Sequence, residues 1–200
     1  MKTLYATLTL SFTALLFGGC SSILPEAQSD PTRYYVLTAP STVTAATGGS
    51  VLGLRNVEVA AYLRSRSVIV RKGEHEVEFR EFARWGEALE AGIARTLRES
   101  LIASDTVAEV AVVPFALDLE RDHDLAVRVL ACEGEAGGGV RFRATWELWS
   151  TGAGAEVLQR GVYEARGLTW DSRNEASLAA ALSQAVAGLG AEIATAVGRE

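Results

Sequence analysis

The sequence predicts an α/β (α+β) fold, a single domain in which a mixed, largely antiparallel sheet carries two long helices. Three patterns lead there. Val140, Phe142, Ala144, Trp146 and Leu148 alternate with Arg141, Arg143, Thr145 and Glu147, as on a strand with one buried face and one wet face. Trp85, Leu89, Ile93, Leu97 and Leu101 recur every fourth residue, with Glu90, Arg95, Arg98 and Glu99 between them, as on an amphipathic helix. Leu178, Leu182, Val186, Leu189 and Ile193 form a second helical stripe, inside a stretch from Ala176 to Ala191 without a charge.

The other elements fall between these. Arg33-Tyr34-Tyr35-Val36-Leu37 is a short aromatic and β-branched strand, and Pro40 to Ser50 is a loop rich in Ser, Thr, Ala and Gly. Val51 to Val59 resumes strand character. Ser67 to Phe79 reads as a hairpin turning at Lys72-Gly73-Glu74. Val107 to Val113 is a strand ended by Pro114, and the charged run Glu120 to Asp124 leads into another from Leu125 to Cys132. Turns at Gly137 to Gly139 and Gly152 to Gly154 bracket the alternating strand, and Val157 to Arg166 is its return. Ser172-Arg173-Asn174-Glu175 reads as a capping box, in which the Ser hydroxyl and the Glu carboxylate satisfy backbone donors reciprocally. The order strands, helix, strands, helix suggests two strand-strand-helix halves, both helices covering one sheet face. The last helix has only Ser183 and Gln184 to keep its outer face wet, so it is either sandwiched in the fold or meets another subunit.

The amino-terminal end predicts export. Lys2 is followed by an uncharged run from Thr3 to Pro25, closing on Leu16-Phe17-Gly18-Gly19-Cys20. Gly18 and Gly19 suit a signal peptidase, whose cleft needs small side chains beside the bond it cuts. The segment resembles a lipobox, which implies cleavage between Gly19 and Cys20 and a covalent lipid on the Cys20 thiol, with acyl chains such as palmitate. The alternative is an uncleaved membrane anchor, because the run could just reach the roughly 20 residues a span requires. Ser21 and Ser22 after the cysteine resemble an outer-membrane address. The expected organisation is a signal peptide over 1–19, a lipidated tether over 20–32 holding Pro25 and Pro31, and a folded domain over 33–200.

Without Lys2, 18 basic residues face 25 acidic ones, a balance of −7, which suits neither nucleic acid nor anionic headgroups. With Cys20 acylated, Cys132 has no partner for an internal disulfide. Its place at the end of an apolar run makes it a small buried hydrophobe. No catalytic set emerges: there is no Gly-x-Ser-x-Gly elbow, phosphate-binding glycine loop or zinc-spaced cysteine pair. His75 is a turn residue, and Asp122-His123-Asp124 reads as a solvated loop rather than a metal site, since neighbouring side chains on an extended chain diverge. The domain is expected to need no metal or cofactor. Trp85 and Trp146 lie on core stripes. Trp149, on the polar face of its strand, and Trp170, just before the last helix, are candidate partner contacts, together with Ser183 and Gln184.

Several segments in order resemble one family: Tyr34 to Leu37; Val57 to Ala60 running through Tyr62-Leu63 to Arg66–Arg71; Phe79 to Leu89; the Phe142 to Leu148 strand; and Ala180 to Ala185. They resemble the PqiC/YmbA-type auxiliary lipoproteins of ABC-type transport systems. That resemblance implies a non-enzymatic component of an MCE-type lipid transport system. It would be anchored in the outer membrane with its domain in the periplasm, and its partner would be an MCE-domain protein. A lipid-binding carrier, a structural envelope lipoprotein and a homo-oligomer are the other readings.

Overall fold

The computed structural model describes residues 29–39, 48–116 and 119–199. The signal segment, Gly19, Cys20 and most of the expected tether lie outside them. In chain order the described residues form β1 (Arg33–Tyr35), β2 (Ser50–Leu54), β3 (Glu58–Val59), a 3-10 turn (Ala61–Arg64), β4 (Ser67–Arg71), β5 (Val77–Trp85), α1 (Leu89–Ile102), β6 (Val107–Val112), β7 (His123–Glu135), β8 (Val140–Ser150), β9 (Val157–Glu164) and α2 (Glu175–Val197). These belong to one unit beginning at Thr32.

The nine strands of the described residues make one mixed sheet built on β7. On one edge β7 pairs antiparallel with β8, from His123 opposite Ser150 to Gly134 opposite Val140, and β9 pairs antiparallel with β8. The other edge of β7 is shared by three parallel strands in succession: β2 beside His123–Leu125, β3 beside Arg128–Val129 and β4 beside Gly134–Glu135. β6 then adds to β2, and β5 and β1 add beyond β4. The antiparallel ladders are the longest, yet five of the eight pairings are parallel. Strands then helix occur twice in chain order, and the strands of both halves join the same sheet.

Alternation along β8 sends Phe142, Ala144, Trp146 and Leu148 to the face covered by α1 and α2. There they meet Leu125, Val127, Val129 and Cys132 of β7 and the buried stripes Leu89–Leu101 and Leu178–Ile193. The two helices approach closely at Gly190, where an added Cβ would lie 3.0 Å from the Ser100 side chain. Burial pushes the Cys132 thiol pKa up and keeps it neutral, which removes its nucleophilicity. The last helix, uncharged from Ala176 to Ala191, packs within the fold: thirteen of its residues are buried, and the exposed ones form a narrow line through Ala176, Ala180, Gln184, Ala191 and Thr195.

Several boundaries differ from the sequence reading, two of them for a reason the hydrogen bonds show. Trp85 closes β5 instead of opening α1, because its N–H bonds the Arg66 carbonyl and Tyr35 lies opposite it on β1. It is buried beside the helix, and so continues the helical period without belonging to the helix. The cap of α2 is Asn174, whose Oδ1 accepts the Ala176 N–H at 3.1 Å, while Ser172 lies outside the helix and offers its carbonyl to Arg80.

Phe142 is fully buried and meets Tyr163 edge-on at 6.1 Å. Phe142→Ala is expected to lower stability by about 3–5 kcal/mol through lost burial and an unfilled cavity. The midpoint of urea unfolding checks this.

Candidate functional site

Because the helices cover one face of the sheet, alternate residues of β7 and β8 are left facing away from them. Ala126 stands opposite Glu147, Arg128 opposite Thr145 and Asp124 opposite Trp149. Glu58 of β3 lies beside Arg128 and takes its guanidinium at 2.6 and 2.8 Å. The Arg55 guanidinium sits 5.2 Å from the centroid of the Trp149 ring, and 3.4 Å from Asp124. Val113 and Phe115, from the segment after β6, complete the wall of an open groove of about 720 Å³. In that groove the Trp149 Nε1 is buried with no hydrogen-bond partner.

The groove floor is held by a chain of charges. Asp124 accepts from Arg121 Nε at 2.9 Å as well as meeting Arg55, and the Arg121 guanidinium stacks 4.0 Å from the Phe115 ring. Asp122 accepts the Val51 N–H at 2.7 Å. The Asp122-His123-Asp124 run is therefore not the solvated loop that its polarity suggests. Pairing with β2 draws His123 and Asp124 into β7, and Gly53 opposite Asp124 leaves room for the Arg121 side chain, 2.7 Å from where a Cβ would stand. Among the described residues no cluster of metal-ligating side chains forms.

Of the four predicted contact residues, Trp149 lines the groove. Gln184 is exposed on α2, in the helical layer on the other side of the sheet. The other two are structural. Trp170 is 6% exposed, donates from Nε1 to the Glu135 carbonyl at 3.1 Å and lies flat over Gly134, where any Cβ would collide with its ring. Ser183 is 5% exposed; its Oγ donates to the Ala179 carbonyl at 2.7 Å and accepts the Thr38 N–H at 3.0 Å, tying the chain after β1 to α2. Arg55, Glu58, Phe115 and Arg128 were not visible as a group. They come from three separate segments that only the parallel β2–β7 and β3–β7 pairings bring together.

The same sheet face holds a buried charge cluster farther along β7. Glu133 is 0% exposed, and its carboxylate takes Arg71 Nε at 2.5 Å and the Tyr62 hydroxyl at 3.1 Å. Arg71 also donates to the carbonyls of Gly73 and Glu74, which fixes the β4–β5 turn. Burial, reinforced by the Glu133 charge, pushes the Tyr62 phenol up to about 12, and the hydrogen bond to Glu133 holds the Arg71 guanidinium above its ordinary value. Every charge here has a partner within the cluster, and these bonds tie β4 and the 3-10 turn to β7.

Residues 35–194 match the family described as ABC-type transport auxiliary lipoprotein component. The chain belongs to that family, an auxiliary, membrane-associated lipoprotein component of ABC-type transport in the cell envelope. A crystal structure of a DUF330-family protein from Xanthomonas campestris shares the fold, with a TM-score of 0.68, 19% identity, and coverage of 82% of this chain and 93% of that one. A second crystal structure, of an uncharacterized protein, aligns with a TM-score of 0.65 at 20% identity, covering 83% of this chain and 98% of that one. No curated protein matches the chain in sequence.

The Glu133 cluster is tested by stability. Glu133→Ala is expected to cost about 3 kcal/mol by leaving Arg71 unpaired, and Glu133→Gln less, since an amide oxygen still accepts from Tyr62. A phenol whose pKa is raised on folding stabilises fully below its unfolded value of about 10, and that contribution is lost as pH rises toward 12. Urea midpoints measured from pH 9 to 12 should fall more steeply for the wild type than for Tyr62→Phe.

Proposed function

We propose that the protein is a non-enzymatic, outer-membrane lipoprotein, held by a covalent lipid on Cys20, whose periplasmic domain docks the MCE-domain protein of a lipid transport system. The observation that supports this reading most directly is the groove on the helix-free sheet face, taken with the family membership. Trp149, Phe115 and Val113 give it apolar and aromatic contact area, which protein interfaces favour. Its four salt-bridged charges, Arg55, Glu58, Arg128 and Asp124, are compensated within the domain, so a partner need not neutralise them.

A photo-crosslinking residue at Trp149 is expected to capture the MCE-domain protein in intact cells, while one at Gln184, in the opposite layer, is not. If neither position captures it in cells where the lipoprotein is present at normal levels, the docking role is wrong. Phospholipid co-purifying with detergent-free protein in native mass spectrometry would instead favour a carrier.

The anchor is tested separately. Cys20→Ser should leave the domain folded but unlipidated, released to the soluble periplasmic fraction and unable to support outer-membrane integrity. Full function of that variant at normal abundance would make the anchor incidental.

A further inference from the structure

Among the described residues β9 pairs only with β8, so one of its edges is open. The hydrogen-bond pattern shows which backbone groups that edge presents. Ala165 donates its N–H to the Phe142 carbonyl, so the pair 165/142 is hydrogen-bonded. Stepping by two along the antiparallel ladder, Tyr163 opposite Ala144 and Gly161 opposite Trp146 are hydrogen-bonded as well. The alternate residues Arg160, Val162 and Glu164 therefore direct their N–H and C=O groups away from β8, toward the open edge.

Soluble proteins usually blunt such an edge with Lys, Pro, a bulge or very short length. β1 is only three residues long, and β6 runs into Val113-Pro114. β9 has eight residues with neither Lys nor Pro, and Val162 is 57% exposed and Leu158 39% exposed. Its bulge lies at the Leu148/Trp149 step, so Arg160 to Glu164 is regular.

That regular segment, Arg160-Gly161-Val162-Tyr163-Glu164, is a charge palindrome. Laid antiparallel on itself about Val162, it sets Arg160 opposite Glu164 of the second copy, twice, with Val162 against Val162 at the centre. The three pairs of outward-facing residues would exchange about six backbone hydrogen bonds. The pattern continues the one already present within each copy, where Glu147 stands opposite Arg160 and Arg143 opposite Glu164 on the same face. A row across the seam then reads Glu147, Arg160, Glu164 of the second copy, Arg143 of the second copy, with the sign alternating at every step. Like charges in that row would oppose pairing, and opposite charges fix its register.

We propose that β9 is a self-complementary docking edge, through which two copies join about a twofold axis into one continuous sheet centred on Val162. The contact is isologous, as a closed dimer requires. Its outward-facing residues adjoin the groove wall, with Val162 opposite Thr145 and Arg160 opposite Glu147, while the backbone groups that would pair point away from that wall.

The test uses the full lipidated chain in its membrane. Val162→Cys places two thiols on directly opposed residues, about 5.5 Å apart between Cα atoms, and mild oxidation is expected to give a covalent homodimer. Leu158→Cys on the same strand, about 27 Å from its counterpart, is expected to give none. Arg160→Glu and Glu164→Arg, each in the Val162→Cys background, should separately abolish the crosslink by setting like charges face to face. Co-expressed, they should restore it as a heterodimer, because each bad pair becomes a good one. Circular dichroism confirms that each variant is folded. No crosslink at Val162, an equal crosslink at Leu158, or a crosslink indifferent to both charge reversals overturns the proposal.

Discussion

The peptide groups of a buried strand must find hydrogen bonds, and β7, thirteen residues long, finds strand partners on both edges. One edge is satisfied by the continuous ladder to β8. The other is satisfied piecewise by β2, β3 and β4, which run in the same direction and are separated by Arg55–Val57 and by the 3-10 turn. Where the strands stop, single bonds fill the gaps: the Arg55 N–H reaches the Leu125 carbonyl and the Ala60 N–H reaches that of Val129. This arrangement sets the rest. It carries Arg55 to Trp149, Glu58 to Arg128, and Tyr62 and Arg71 to Glu133, so the ion pairs of the open face result from how that one edge is filled.

The sequence was most informative where the signal is local. The alternation from Val140 to Leu148 identified β8 and its buried face correctly, and the four-residue spacing gave the buried side of both helices. Local periodicity could not separate Trp85 from α1, since a strand residue ending in phase with a helix looks like its first turn. Nor could it choose between Ser172 and Asn174 as the cap, because both can accept a backbone N–H. The parallel pairings had no local signature at all: nothing about Glu58-Val59 says that it lies beside Arg128, seventy residues on.

The same limit explains the candidate contacts. Exposure on a strand or helix can be read from phase, but what covers a residue depends on elements distant in sequence. Trp170 looked available because it sits in a connector, yet Gly134 has no side chain and the indole fills that space. Ser183 looked like surface because it is polar on an apolar helix, yet it caps the Thr38 N–H from the other end of the chain. Trp149 had the right phase and nothing large across from it, and it lines a groove.

In a two-layer domain the helices hide one face of the sheet and leave the other to water, and that bare face is usually polar. Here Arg55 pairs with Asp124, Arg128 with Glu58 and Arg71 with Glu133, and a buried pair such as Arg71–Glu133 contributes more to register than to net stability. A partner approaching the groove finds ion pairs already made, which orient it but offer little attraction. Docking there would draw its free energy from the apolar area of Trp149, Phe115 and Val113. A surface so built binds modestly by itself. Anchoring the domain to a membrane, and pairing two copies along β9, would each raise the local concentration of grooves without any new contact to the partner.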